Sequence, residues 1–145
     1  MNATLSLPDC WQDLVAVSRQ QRMHAYAPYS QFAVGAAVKV SGGTIIGGCN
    51  VENSSYSLTI CAERNAATSA VAAGNQDLEI VCISLAGVAV PCGACRQFLY
   101  EFNPHLKVIM DNVDDSSGRP PEIVWLGELL PRGFRLSDGD GPKSS

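Results

Sequence analysis

The sequence predicts an α/β fold in which helices cover the faces of a parallel or mixed β-sheet, and three observations carry that expectation. Leu78 to Leu85, LEIVCISL, is a continuous apolar run and reads as a central strand buried on both faces. Ala62 to Ala73 is dense in alanine and reads as helix. Strand-like and helix-like segments alternate through the second half of the chain, and strands separated by helices call for crossover connections within one sheet.

Taken in order, Trp11, Leu14, Val15, Val17 and Met23 recur at loosely helical spacing within Asp9 to Met23, which predicts an amphipathic helix that stops before Pro28. The APYS segment makes a turn. Phe32 to Val40, the turn formers SGGT and then IIGGCN predict a β-hairpin. Within it Gly35, Gly47 and Gly48 either admit close approach of backbone or ligand, or mark a bulge or bend. Val51 to Thr59 reads as a polar loop leading into a helix that ends near Gly74 and Asn75.

After the central strand and a short connection, Ala86 to Val90, a second helix is expected over Cys92 to Phe102. Strands follow at His105 to Met110 and Glu122 to Leu126, with a polar surface loop, Asp111 to Pro121, between them. Leu126 to Leu130 forms a short helix before Pro131. Residues 1–136 are read as a single domain and 137–145 as a disordered tail.

Bulk properties narrow the function classes. A chain of 145 residues with 46% hydrophobic content suits one core of ordinary size. A formal charge of −4 and a pI near 5.0 argue against wrapping a polyanion and for a small neutral substrate. The N-terminal MNATLSLPDCWQD shows no basic segment followed by a long apolar run, and no stretch approaches the roughly 18 apolar residues of a membrane span. A reduced, cytoplasmic protein is therefore expected, with Cys10, Cys49 and Cys82 as small buried hydrophobes.

The other three cysteines stand in two segments, Thr59 to Ala66, TICAERNA, and Val90 to Gln97, VPCGACRQ. Cys92 and Cys95 are three apart, so on the first turn of a helix both lean to one face, which is metal-ligand spacing. Cys61 supplies a third thiolate from another helix and leaves one tetrahedral position of zinc open, the arrangement of a catalytic site. Glu63 constrains the geometry, because two residues along a regular helix point roughly 200° apart. Cys61 must therefore lie at or near the helix cap, as the loop and capping types Ser54, Ser55, Ser57 and Thr59 before it suggest. Pro91 marks the start of the second helix, so that both ligand groups sit at helix N-termini, where thiolate is favoured over thiol. Buried thiols or a redox dithiol remain the alternatives for CGAC, but neither explains Cys61 and Glu63.

CAE followed by PCxxC resembles the zinc deaminases of nucleosides and nucleobases, and AYAPYSQFAVGAA and GCNVENSSYSLTICAERNA resemble the cytidine deaminase family. The likeness runs from about Ala25 to Phe134. It implies a three-layer α-β-α sandwich with a mixed five-stranded sheet, a Zn²⁺ cofactor held by Cys61, Cys92 and Cys95, and Glu63 as the proton carrier. It further implies that Phe32 stacks near the pyrimidine, that Asn50 and Glu52 hydrogen-bond the ribose 3′-hydroxyl, and that the Ala62 backbone contacts the base. Tyr56 and Phe134 match residues through which a neighbouring subunit completes the site, which implies a homotetramer. Outside such a resemblance Phe32 reads as core, Asn50 as a turn residue, and Tyr56 and Phe134 as ordinary half-buried aromatics. Departures from the family pattern are Ala33 in place of proline, Ser54 in place of a small apolar residue, and the short Ala86 to Val90 connection.

Three thiolates and Zn²⁺ sum to a formal −1, which disfavours hydroxide at the metal unless something draws charge away. Arg64, beside Glu63, is the candidate: a guanidinium donating to thiolate sulfur does so in similar enzymes, whereas in an arbitrary sequence it would be a surface arginine. The reaction implied is deamination of cytidine and 2′-deoxycytidine in pyrimidine salvage. A deaminase of a modified cytosine nucleoside or nucleoside antibiotic is the alternative within the same chemistry. A zinc-stabilised nucleic-acid-binding module is the alternative outside it, disfavoured by the acidic composition and the open metal position.

Overall fold

The computed structural model describes residues 5–138. Along the chain come α1 (Trp11–Arg22), β1 (Gly35–Val40), β2 (Ile45–Cys49), a 3-10 turn at Tyr56–Leu58, α2 (Ala62–Ala72), β3 (Leu78–Leu85), α3 (Gly93–Phe102), β4 (Lys107–Asn112), β5 (Glu122–Trp125), α4 (Leu126–Leu129) and a 3-10 turn at Leu136–Asp138. The five strands form one sheet in the order β2-β1-β3-β4-β5, with β3 at its centre as LEIVCISL predicts. β3 and β4 run parallel and every other pair antiparallel, so the sheet is mixed.

The register assigns side chains to the two faces. Ile46, Val38, Val81, Val108 and Val124 lie in one cross-strand row and pack against Ala66 and Ala67 of α2, Leu99 of α3 and Leu126 of α4. The neighbouring row, Gly47, Ala37, Cys82, Ile109 and Ile123, faces the opposite way, where its apolar members pack against Leu14 and Trp11 of α1. With period-two alternation, each strand thus feeds two separate apolar layers, and α1 on one side with α2, α3 and α4 on the other complete three layers.

The flagged glycines let helices approach the sheet. A Cβ on Gly48 would lie 2.4 Å from the Ala66 nitrogen of α2, and one on Gly47 would lie 2.5 Å from the Gln21 side chain of α1. Gly35 likewise sits against the Ser18 and Arg22 backbone. Of the two alternatives the sequence leaves open, close approach is the one realised, by backbone at Gly35 and Gly48 and by side chains of α1 at Gly47.

Several boundaries differ from expectation. β1 starts at Gly35 rather than Phe32, because residues 32–34 are drawn aside by hydrogen bonds to the Asn50 side chain. β4 extends through Asp111 and Asn112, which the polar composition assigns to a loop. Asp111 is buried because Arg19 Nε and Nη2 each donate to its carboxylate at 2.8 Å and Ser84 Oγ donates at 2.6 Å. Of the cysteines outside the cluster only Cys82 is fully buried, its thiol pushed up to about 12 chiefly by desolvation; Cys10 and Cys49 are half-buried. All six cysteines are free of disulfides. Of the expected tail, Ser137 and Asp138 lie in the last 3-10 turn, where Arg135 pairs with Asp138 at 2.6 Å, and 139–145 fall outside the described residues. Among the described residues no helix is long and apolar enough to cross a membrane.

Candidate metal and active site

Both cysteine segments fold as helix caps. Cys61 is the N-cap of α2, with extended backbone at φ −71° and ψ 153°, and Cys92 is the N-cap of α3 at φ −66° and ψ 167°. Cys95 is the third residue of α3, and its amide donates to Cys92 Sγ at 3.4 Å. Sulfur here takes the place of the Ser or Asp oxygen that usually accepts the N3 amide, and the arrangement holds both α3 thiols toward one point. Cys92 therefore belongs to the cap rather than to the helical turn, and Pro91 precedes that cap.

The three sulfurs lie within 4.8 Å of one another, with Cys61 and Cys92 3.7 Å apart. Tetrahedral Zn–S bonds of about 2.3 Å require sulfur separations of about 3.8 Å, so the cluster has the size of a zinc site. Charge points the same way. The Cys95 thiol, then Arg64, pull Cys61 down to about 5, while that negative charge and burial push Cys95 upward. Sulfurs this close do not all ionise without a cation among them. Cys92 is exposed, Cys61 half-buried and Cys95 buried, so the cluster opens outward past Cys92.

Glu63, in the first turn of α2, is only 4% exposed. Burial, with the Cys61 charge adding to it, pushes its carboxyl up to about 7; a cation among the sulfurs acts in the opposite sense. Arg64 Nη2 donates to Cys61 Sγ at 3.5 Å and to the Thr59 carbonyl at 3.3 Å. The Ala62 amide, first in the helix, has no intrahelical acceptor.

A second cluster lies beside the first. Asn50 and Glu52 are buried, at 8% and 5% exposure. Asn50 Nδ2 donates to the Phe32 carbonyl at 2.8 Å and Oδ1 accepts the Val34 amide at 2.9 Å. Glu52 Oε1 accepts the Tyr29 and Ser30 amides at 3.0 and 3.1 Å, and the Ser30 hydroxyl donates to Oε2. Reciprocal backbone bonds of 2.9 Å between Val51 and Ile60 tie this segment to the residue before Cys61, and Asn65 Nδ2 of α2 donates to the Cys49 carbonyl at 2.9 Å. The two clusters are thus braced against each other.

The structure brings together Cys61, Ala62, Glu63, Arg64, Cys92 and Cys95 in one group, and Phe32, Asn50 and Glu52 in another. It leaves Tyr56 and Phe134 at the surface, 68% and 65% exposed, and Phe32 half-exposed. Sequence reasoning missed Asn65, Ser30 and Arg96, whose guanidinium fixes the start of α3 by donating to the carbonyls of Pro91 and Leu129 at 2.8 Å. Their polar types carry no signal until the partners are in place. A separate cavity of about 940 Å³ lies beyond the β3–α3 connection, lined by Trp11, Arg19, Val88, Asp111 and Arg119 and by none of the site residues.

Comparison with known proteins agrees with this arrangement. The family described as "Cytidine and deoxycytidylate deaminase zinc-binding region" matches residues 9–111, which hold all three clustered cysteines. The cytidine deaminase of Sporosarcina psychrophila is 41% identical over 130 residues, covering 88% of this chain and 93% of that protein. A cytidine deaminase of Mycobacterium tuberculosis is 42% identical over 135 residues, covering 91% and 96%. The crystal structure of cytidine deaminase from Burkholderia pseudomallei superposes with a TM-score of 0.78 at 40% identity, covering 85% of this chain and 98% of that one. Sulfur spacing fit for zinc, a five-stranded mixed sheet and identity sustained along most of the sequence lead to one assignment: the chain belongs to the zinc-binding cytidine and deoxycytidylate deaminase family.

Proposed function

We propose that the chain, acting through a single domain over residues 1–136, hydrolyses cytidine and 2′-deoxycytidine to uridine and 2′-deoxyuridine with release of ammonia, a step of pyrimidine salvage in the cytoplasm. The observation that carries this reading is the burial of the Glu63 carboxyl beside three sulfurs that converge from two helix caps. Cys61, Cys92 and Cys95 would hold zinc, which when bound would supply Lewis-acid activation of the attacking water. Glu63 takes a proton from that water and delivers one to ring N3 as the C4–O bond forms, then helps a second reach the amine, so that the C4–N bond breaks afterwards and ammonia leaves. Arg64 draws charge from Cys61, with which it already shares a hydrogen bond.

The substrate residues form a complementary set. Asn50 keeps one N–H and Glu52 one lone pair beyond the bonds they make within the chain, and a sugar 3′-hydroxyl both accepts and donates. Phe32 stacks on the pyrimidine, and the Ala62 amide donates to the base. Exposure of Tyr56 and Phe134 supports a homotetramer in which each site is completed by a neighbouring subunit.

Zinc quantitation per chain, paired with loss of cytidine absorbance, tests the reading. Turnover of cytidine with one zinc per chain is expected. Glu63→Gln should lose about 10²- to 10⁴-fold in kcat while keeping the metal. A zinc-loaded protein inert toward both nucleosides would remove the proposal, and a solution mass other than four chains would remove the tetramer.

A further inference from the structure

We propose that Ser30 is a positioning residue for the nucleoside, its hydroxyl joining the sugar-binding carboxylate of Glu52 to the base-stacking segment at Phe32. This rests on the reading of Glu52 and Phe32 given above and extends it to a residue that touches no reacting atom.

The hydroxyl has two neighbours of opposite kind. Glu52 Oε2 is a pure acceptor when ionised, and the Phe32 amide, 3.0 Å from Ser30 Oγ, is a pure donor. The Ser30 proton is therefore committed to Glu52 and an oxygen lone pair to Phe32. Neither bond can be reversed, so the position of one partner dictates that of the other.

Counting acceptor sites shows what this does for Glu52. An ionised carboxylate offers about four lone-pair sites. The Tyr29 and Ser30 amides occupy both on Oε1, and the Ser30 hydroxyl takes one on Oε2. What remains is a single site on Oε2, directed by the Ser30 bond, that accepts one ligand hydroxyl. Without the Ser30 hydroxyl, Oε2 has two open sites for which solvent competes, and only the two amides on Oε1 still orient the carboxylate.

Phe32 is held from both sides of its backbone. Its carbonyl accepts from Asn50 Nδ2 and its amide donates to Ser30, while the ring itself stays half-exposed. Between Ser30 and Phe32 the chain adopts a left-handed conformation at Gln31, φ 58°, uncommon for a residue with a side chain. The 29–32 segment is therefore held in a shape the local sequence does not favour by itself, by the Gln31 amide bond to the Ala27 carbonyl together with the bonds to Glu52 and Asn50. The metal group is carried on the caps of α2 and α3, and Ser30 donates to none of it. Loss of the Ser30 hydroxyl should accordingly weaken nucleoside binding more than it slows the chemical step.

Steady-state kinetics of the zinc-loaded full chain test this with cytidine and 3′-deoxycytidine, on wild type, S30A, S30T and, as reference, E52Q. A hydrogen bond to a charged group corresponds to roughly tenfold or more in binding, so S30A is expected to raise KM for cytidine about tenfold with kcat within about threefold. Discrimination against 3′-deoxycytidine in kcat/KM should fall by about the same factor, and S30T, which keeps the hydroxyl, should recover both. If S30A does not fold, S30C, similar in volume and a poorer donor, is read in its place.

Wild-type KM and discrimination in S30A would overturn the proposal, as would equal losses in S30A and S30T, or a fall confined to kcat. A wild type that does not distinguish the two nucleosides, matched by E52Q, would instead overturn the reading of Glu52, and the role of Ser30 with it.

Discussion

Arg64 stands one helical turn beyond Cys61, and its Nη2 donates to the Cys61 sulfur at 3.5 Å and to the Thr59 carbonyl at 3.3 Å. The guanidinium thereby ties the cap sulfur to the chain entering the helix, while its Nε is buried without a partner among the described residues. Replacing Arg64 with Gln removes the positive charge and keeps a side chain that can donate. The expected result is a 10- to 100-fold loss, at about that order, in kcat or zinc affinity. Chelator competition and cytidine turnover on the same preparation measure both, and unchanged values would show that the thiolate charge is balanced elsewhere.

Gly48 is where the sheet and the metal site meet. A Cβ there would lie 2.4 Å from the Ala66 nitrogen and 2.9 Å from its Cα, so Gly48→Ala must push α2 away from β2. Overpacking of this kind costs about 1–3 kcal/mol. Because Cys61 caps the displaced helix while Cys92 and Cys95 ride on α3, the sulfurs should also separate. Urea unfolding and zinc titration are expected to show lower stability and weaker metal binding together; a stability loss with unaltered zinc affinity would mean that the two helices move as one.

Glu52 gives the protein an acid limb. The Ser30 hydroxyl first, then the backbone amides of Ser30 and Tyr29, hold its carboxyl below the usual range. A carboxyl with a depressed folded pKa contributes stability that is fully present above its unfolded value, about 4.3, and is lost as pH falls through the folded value. Thermal unfolding of wild type and Glu52→Gln should thus differ by a constant amount from about pH 7 to 5, and the gap should narrow progressively as pH falls below about 4. A gap that does not narrow between about pH 5 and about pH 3 would contradict the assignment.

Arg19 and Asp111 link α1 to the end of β4 through two bonds of 2.8 Å, with the arginine half-exposed and the aspartate nearly inaccessible. Truncation of Arg19 leaves a buried carboxylate with Ser84 as its remaining side-chain donor. Arg19→Met should therefore destabilise the fold by about 2 kcal/mol, more than an exposed ion pair is worth. In the double mutant with Asp111→Asn much of that loss should disappear, since the buried charge is gone. Additive losses in a denaturant series would argue that the pair is not coupled.

Much of the site was legible in the linear chain. Cys61 had to be a cap because Glu63 stands two residues away, and the α2 N-cap is where it lies. LEIVCISL marked the central strand because an unbroken apolar run leaves no face for water. Asp111 was misread because an acidic residue next to DSSG-type turn formers has the composition of a loop. Only the Arg19 and Ser84 partners, 92 and 27 residues away, make its burial affordable.

Spacing and residue type determined which side chains can bind a metal, which segments start helices and which run forms the sheet centre, since these depend on neighbours a few bonds apart. Tertiary structure alone decided that the Cys61 and Cys92 sulfurs stop 3.7 Å from each other, that Gly48 lets α2 settle on the sheet, and that Ser30 reaches Glu52. Those contacts join segments distant along the chain. Their geometry comes from packing two apolar layers onto one twisted sheet, and no local pattern encodes that.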